Sequence, residues 1–168
     1  KTYEMEQVIP GEDWNDPDSD PIIESVDLLH AGAVDDARRV LQQCLTQDTR
    51  CIDAYVHLGN IRFRHYHSEI AVEQALKSYR AGVAVGEQAL PEGFNGLLLW
   101  GYIDNRPFLR ALHGLALCEW RLGRTSCARS VFMRLLMLDP DDALRVRFSM
   151  HALDCGLSYV DYADEEVC

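Results

Sequence analysis

Two stretches of this chain, 57 residues apart, carry one pattern, and that recurrence limits the fold more than any other feature. Residues 53–64 align with 110–121, so that Leu58 meets Leu115, Gly59 meets Ala116, Phe63 meets Trp120 and Arg64 meets Arg121. The spacing within each stretch is helical, and the small pair Gly59/Ala116 suits a close helix crossing. Downstream the intervals recur again. Gly123, Ala128, Phe132 and Pro140 are spaced by five, four and eight, and Gly32, Ala37 and Leu41 repeat the first two of those steps. A recurring helical unit cannot bury its apolar stripe alone, so copies must stack on one another.

Helical segments alternate with breaks from residue 20 onward, without strand-like alternation. Asp20-Pro21 is a start signal, an acceptor at the N-cap followed by a proline with no N–H to lose. Asp139, Pro140, Asp141 and Asp142 end one helix and supply acids to the first turn of the next. The pattern from residue 18 to 158 resembles the tetratricopeptide repeat, a helix–turn–helix unit of 34 residues. Residues 109–142 match best, with Leu112, Leu115, Ala116, Gly123, Ala128, Phe132 and Pro140 at the repeat's positions. Residues 18–51 form a degenerate first unit, with Glu24 where an apolar residue is usual. Residues 52 to about 90 form a second, with a lengthened loop around His65–Ile70, and 141 to about 158 supply a closing helix. The chain is also similar to uncharacterised bacterial tetratricopeptide proteins. The resemblance implies an all-α fold, an α-solenoid of about three such units plus a closing helix.

Charge divides the chain into three parts. Residues 1–20 hold seven acids against one Lys and read as a flexible acidic arm. Residues 161–168 hold four acids and read as an acidic tail, while the body, 21–160, is nearly neutral although the whole chain carries −11. A nucleic-acid binder would show a basic body, so none is expected. The longest apolar run, Leu97–Ile103, is far shorter than the roughly 18 residues that a membrane span needs. No basic segment followed by an apolar one opens the chain, so no signal peptide is expected and the setting is read as cytoplasmic. Six cysteines, none in a CxxC pair, fit reduced residues, with Cys44, Cys118 and Cys127 at helical core positions. The segment 91–106 is an apolar insertion, expected to pack on the body through Leu98, Trp100 and Ile103.

The repeat's register implies a concave groove lined by its first helices. Carried over, the groove holds Asn60, Phe63 and Arg64 with Asp53 and Val56, then Arg110, His113, Leu117, Trp120 and Arg121, and Arg145 with Val146 and Met150 in the closing helix. Residues 110, 113, 117 and 121 also share one helical stripe by spacing alone, opposite Leu112, Leu115 and Leu122. Arginines around flat aromatics suit carboxylates and apolar contact. The expected function is therefore a protein–protein interaction module whose partner is a protein or peptide, acidic in character. The chain's own tail, 161–168, is a candidate for self-association in that groove. Some relatives clamp a chaperone's terminal carboxylate, but Val56 and Gly114 stand where that clamp needs polar residues, so chaperone binding is not expected. The alternative is a small-molecule- or metal-responsive regulator using the 91–106 insertion or the His65/His67 loop with Glu69. No GxSxG, Walker A, HExxH or EF-hand pattern occurs, and Gly82 and Gly86 fall in helical register rather than in a phosphate loop. Neither an enzyme nor a cofactor is expected.

Overall fold

Asp20 opens the helical body as its position before Pro21 dictates: its side chain accepts from the Ile22 and Ile23 amides at 2.7 and 3.4 Å. The computed structural model describes residues 1–13, 15–66 and 68–165. Among them the chain is all-helical, without a strand. The helices are α1 (Pro21–His30), α2 (Val34–Gln47), α3 (Ile52–His65), α4 (Glu69–Ala89), α5 (Arg106–Arg121), α6 (Thr125–Leu138), α7 (Val146–Asp154) and α8 (Tyr159–Glu165). None is long and apolar enough to cross a membrane.

Each helix from α1 to α8 packs on the next along the chain, α3 also packs on α1 and on α5, and α8 also packs back on α5. Three apolar clusters result. Ile22, Leu41, Cys44, Cys51 and Leu58 join α1, α2 and α3. Val56, Phe63, Leu76, Tyr79 and Leu115 join α3, α4 and α5. Phe108, Leu112, Trp120, Phe132, Leu138 and Val146 join α5, α6 and α7.

Glycines decide how closely α4 approaches its neighbours. The Tyr79 ring lies against both Gly59 on α3 and Gly114 on α5, where an added Cβ would fall 2.7 and 2.2 Å from it. Its hydroxyl donates to Asn60 Oδ1 at 2.7 Å, which satisfies the one polar atom the ring carries into the interior. One turn beyond Gly82, Gly86 leaves room for Phe108, since a Cβ there would sit 2.1 Å from that ring. A polar clamp adds to this: buried Glu119 accepts from Arg80 at 2.9 Å and from Arg124 at 3.4 Å.

Four expectations are corrected. The α3–α4 link is short, residues 66–68, and the extra length of this unit lies in the 21-residue α4 instead. The N-terminal arm does not leave the body at its start: the Tyr3 amide donates to the Leu97 carbonyl at 2.8 Å, the Leu97 amide donates to the Lys1 carbonyl at 2.9 Å, and Met5 is buried. Asn105, fully buried, holds it there, accepting from the Met5 amide at 2.8 Å and donating to the Tyr3 and Leu99 carbonyls. Within the 91–106 segment Leu98 is buried, but Trp100 is only half-buried and Ile103 is 62% exposed, because its short 3-10 turn points outward. Cys127, placed in the core by register, is exposed near the start of α6. The segment also completes the end of α6: the Leu98 amide donates to the Leu138 carbonyl at 2.9 Å, and Asp139 accepts from the Trp100 and Ala143 amides.

Candidate functional site

α3 and α5 lie side by side in the register that the sequence recurrence dictates. Near their starts Arg110 reaches Asp53 at 3.5 Å, and at their ends Arg121 donates to the Phe63 carbonyl at 3.1 Å. Contacts at both ends with offsets of 57 and 58 require the two helices to run parallel. Between these ends, one stripe of α3 carries Asp53, His57, Asn60 and Arg64, and one stripe of α5 carries Arg110, His113, Leu117 and Arg121.

These residues are not equally available. Arg64 is exposed and has neither ion pair nor hydrogen bond among the described residues. Arg110 is tied to Asp53 and its guanidinium stands 5.4 Å over the Trp100 ring, so half its character is spent internally. Arg121 is tied more firmly, bonded to the last turn of α3 and stacked over Phe63 at 5.0 Å and Tyr159 at 5.8 Å. A cation on a helix C-terminus is electrostatically favoured, which explains its capture. Asn60 is half-buried and occupied by Tyr79, and Leu117 is half-buried between two apolar clusters. His113 is half-buried with its ring 6.3 Å from Phe132 of α6.

Three expected groove residues require correction. Trp120 is 2% exposed and serves as a core residue: it packs on Phe132, Tyr159 and Tyr162, and its Nε1 donates to the Leu157 carbonyl at 3.0 Å. Phe63 is buried beneath Tyr159, with ring centroids 5.4 Å apart. The cause of both is α8. Gly156, at φ +82°, turns the chain so that α8 lies on α5 and covers the C-terminal end of the trough. Ser158 Oγ caps it, accepting from the Asp161 amide at 3.2 Å and donating to the Asp161 carboxylate at 2.6 Å. Arg145 begins α7 as an exposed residue at φ 55°, and no hydrogen bond or ring contact joins it to Arg64, Arg110 or Arg121. The acidic tail likewise does not start at 161, since α8 runs to Glu165; residues 166–168 lie outside the described residues.

Sequence reasoning missed His57, Tyr79, Tyr159 and Tyr162. His57 was detectable, being four residues beyond Asp53 on the same stripe. Its side chain is 17% exposed and 3.9 Å from Asp53 Oδ1. Burial lowers its pKa, partly opposed by Asp53 and assisted by Arg110 and Arg64. At the other end of the trough lies an open hollow of about 500 Å³ bordered by Glu12, Asp20, Asp53, Asp104, Arg106 and Arg110. Its walls are more acidic than the groove the arginines alone suggest. No group of three metal-ligating side chains occurs among the described residues. The His65/His67 site cannot be placed there, because His67 and the His65 side chain lie outside them.

No protein-family model matches this chain, and no curated protein sequence matches it.

Proposed function

We propose that this chain is a protein–protein interaction module of the tetratricopeptide kind, a short α-solenoid that holds a partner segment in the trough between α3 and α5. The parallel register of those helices, with α4 packed between them, supports the repeat architecture. The observation that carries the binding reading is the half-open stripe of His57, Asn60, Arg64, His113 and Leu117, bounded by α8 at one end and by the acidic hollow at the other. From Asp53 to Arg64 the trough is about 16 Å long at 1.5 Å per residue, enough for roughly five extended residues. Apolar contact with Leu117 and one carboxylate on Arg64 make a partner of modest, roughly micromolar affinity.

The acidic character of the partner rests on Arg64, because Arg110 and Arg121 are engaged within the chain. Its carboxylate sits toward the α8 end, and neutral or basic residues face the hollow lined by Asp20 and Asp53. The proposal assigns no reaction, cofactor, nucleic acid or membrane to the chain, and it places the chain in the cytoplasm. An array of seven-residue peptides probed with the full chain and with Arg64→Glu tests it. The expected result is about tenfold weaker retention of acidic peptides by the variant. Equal retention by both forms excludes the trough.

The second reading, a small-molecule-responsive regulator, draws on one observation: Ile103, Asp104 and Arg106 of the 91–106 segment border the same hollow. Mass spectrometry of the native chain for a co-purified small molecule separates the two.

A further inference from the structure

Residues 94–105 hold the N-terminal arm in the way a receptor holds an extended peptide. The backbone pairing is parallel, the Tyr3 amide donating to the Leu97 carbonyl and the Leu97 amide to the Lys1 carbonyl. Asn105 reads the arm's backbone at two positions: Oδ1 accepts from the Met5 amide at 2.8 Å, and Nδ2 donates to the Tyr3 carbonyl at 3.0 Å. Four main-chain bonds thus fix residues 1–5, and two side chains add selectivity. The Tyr3 ring meets Phe94 edge-on, with centroids 4.9 Å apart, and Met5 is buried in the cluster that holds Leu98 and Phe108. Gly96 allows this approach, since an added Cβ would fall 2.6 Å from the Tyr3 ring and 2.9 Å from the Lys1 carbonyl oxygen.

The acceptor is held together without the arm. The Leu98 amide is bonded to the Leu138 carbonyl, the Trp100 amide to Asp139, and the Arg106 guanidinium to the Trp100 carbonyl. Asn105 Nδ2 also donates to the Leu99 carbonyl at 3.1 Å, a bond that keeps its carboxamide oriented when the arm is away. A surface ordered in advance loses little freedom on binding. The arm itself is lightly held: of residues 1–8 only Met5 is buried, and Lys1, Thr2, Glu4 and Glu6 are exposed. At its root Gly11 follows Pro10 with φ +87°, and beyond it the Asp13 amide closes a separate turn on Ser19 Oγ at 2.6 Å.

We propose that residues 94–105 are a second binding site, for an extended segment with an aromatic side chain two positions before a methionine, and that two copies of this chain fill each other's site by exchanging residues 1–8. The second copy is the occupant because it carries the same segment that the site holds within one chain. Every contact broken in one copy is remade in the other, so the exchange costs only association entropy and the change of backbone at the arm's root. Eight extended residues span roughly 26–29 Å, enough to cross to an adjacent copy. The site is separate from the trough, in which Tyr3, Met5, Gly96 and Asn105 take no part.

The test has two parts. A labelled peptide of residues 1–8 is titrated into the full chain carrying Tyr3→Ser and Met5→Ser, its fold checked by circular dichroism. Saturable binding is expected, weakened about tenfold or more when Gly96→Val is added or when the peptide itself carries serine at positions 3 and 5. The natural chain is then followed by sedimentation equilibrium from micromolar to millimolar concentration. A dimer is expected that grows with concentration, returns to monomer in excess natural peptide, and is left intact by the peptide with two serines. A folded variant that takes up no peptide at roughly 1 mM, or takes up both peptides equally, overturns the site. A natural chain that stays monomeric throughout, or a dimer that excess natural peptide does not dissociate, overturns the exchange, and this second part needs no variant that could fail to fold.

Discussion

Replacing Gly114 by alanine tests the packing on which the α3–α4–α5 unit depends. The new methyl falls 2.2 Å from Tyr79 Cε1, against the roughly 3.5–4.0 Å at which carbons pack. Tyr79 has little room to retreat, since Cε1 and Cζ are also the nearest atoms to Gly59 and its hydroxyl is held by Asn60. Two effects oppose one another. Alanine is favoured over glycine inside a helix by about 1 kcal/mol. Overpacking costs about 1–3 kcal/mol, and displacing the hydroxyl forfeits about 1 kcal/mol more. The net expectation is a destabilisation of about 1–3 kcal/mol, or roughly 4–8 °C in Tm at the middle of that range for a chain of this size. Urea denaturation of Gly114→Ala, with Gly101→Ala as a control in open space, measures it. In the Tyr79→Leu background, where no ring opposes the methyl, Gly114→Ala is expected to be neutral or stabilising. A Gly114→Ala chain as stable as the natural one refutes the reasoning, because helix propensity would then outweigh a contact that is not there.

Two further outcomes are expected. Asn105→Ala removes the acceptor of the Met5 amide and the donor to the Tyr3 and Leu99 carbonyls, leaving buried groups unsatisfied; a loss of about 2–4 kcal/mol and faster hydrogen exchange at Met5 follow, and unchanged exchange sinks the assignment. His57, faced by Asp53 and Arg64 on its own helix, by Arg110 on α5 and by Asp20 ahead of α1, has its pKa lowered in the fold. The unfolded chain therefore binds a proton there that the folded chain resists. This contribution to stability is present above the unfolded value of about 6.5 and is lost as pH falls below it. His57→Gln flattens the acid side of the stability profile below about pH 6.5; a natural-minus-variant difference that does not vary with pH counts against it.

The sequence by itself determined that the chain is helical and where most helices start and stop. Those features are local: Asp20-Pro21 caps α1, and Asp139 and Asp142 sit at the end of α6 and the entry to α7, bonding backbone amides within a few residues of themselves. It also carried the register of α3 against α5, because a recurrence of 57 residues in sequence is the same as the spacing at which Asp53 meets Arg110. The availability of the site residues was not local. Whether Arg121 and Trp120 face solvent depends on α8, which returns from some forty residues along the chain to lie on them, driven by Tyr159 and Tyr162 finding aromatic surface. The arm at residues 1–5 was equally beyond reach, since its partner Asn105 lies 100 residues away. Spacing along a helix fixes which side chains share a face; only the folded chain, by what it lays across that face, decides which of them remain free to bind.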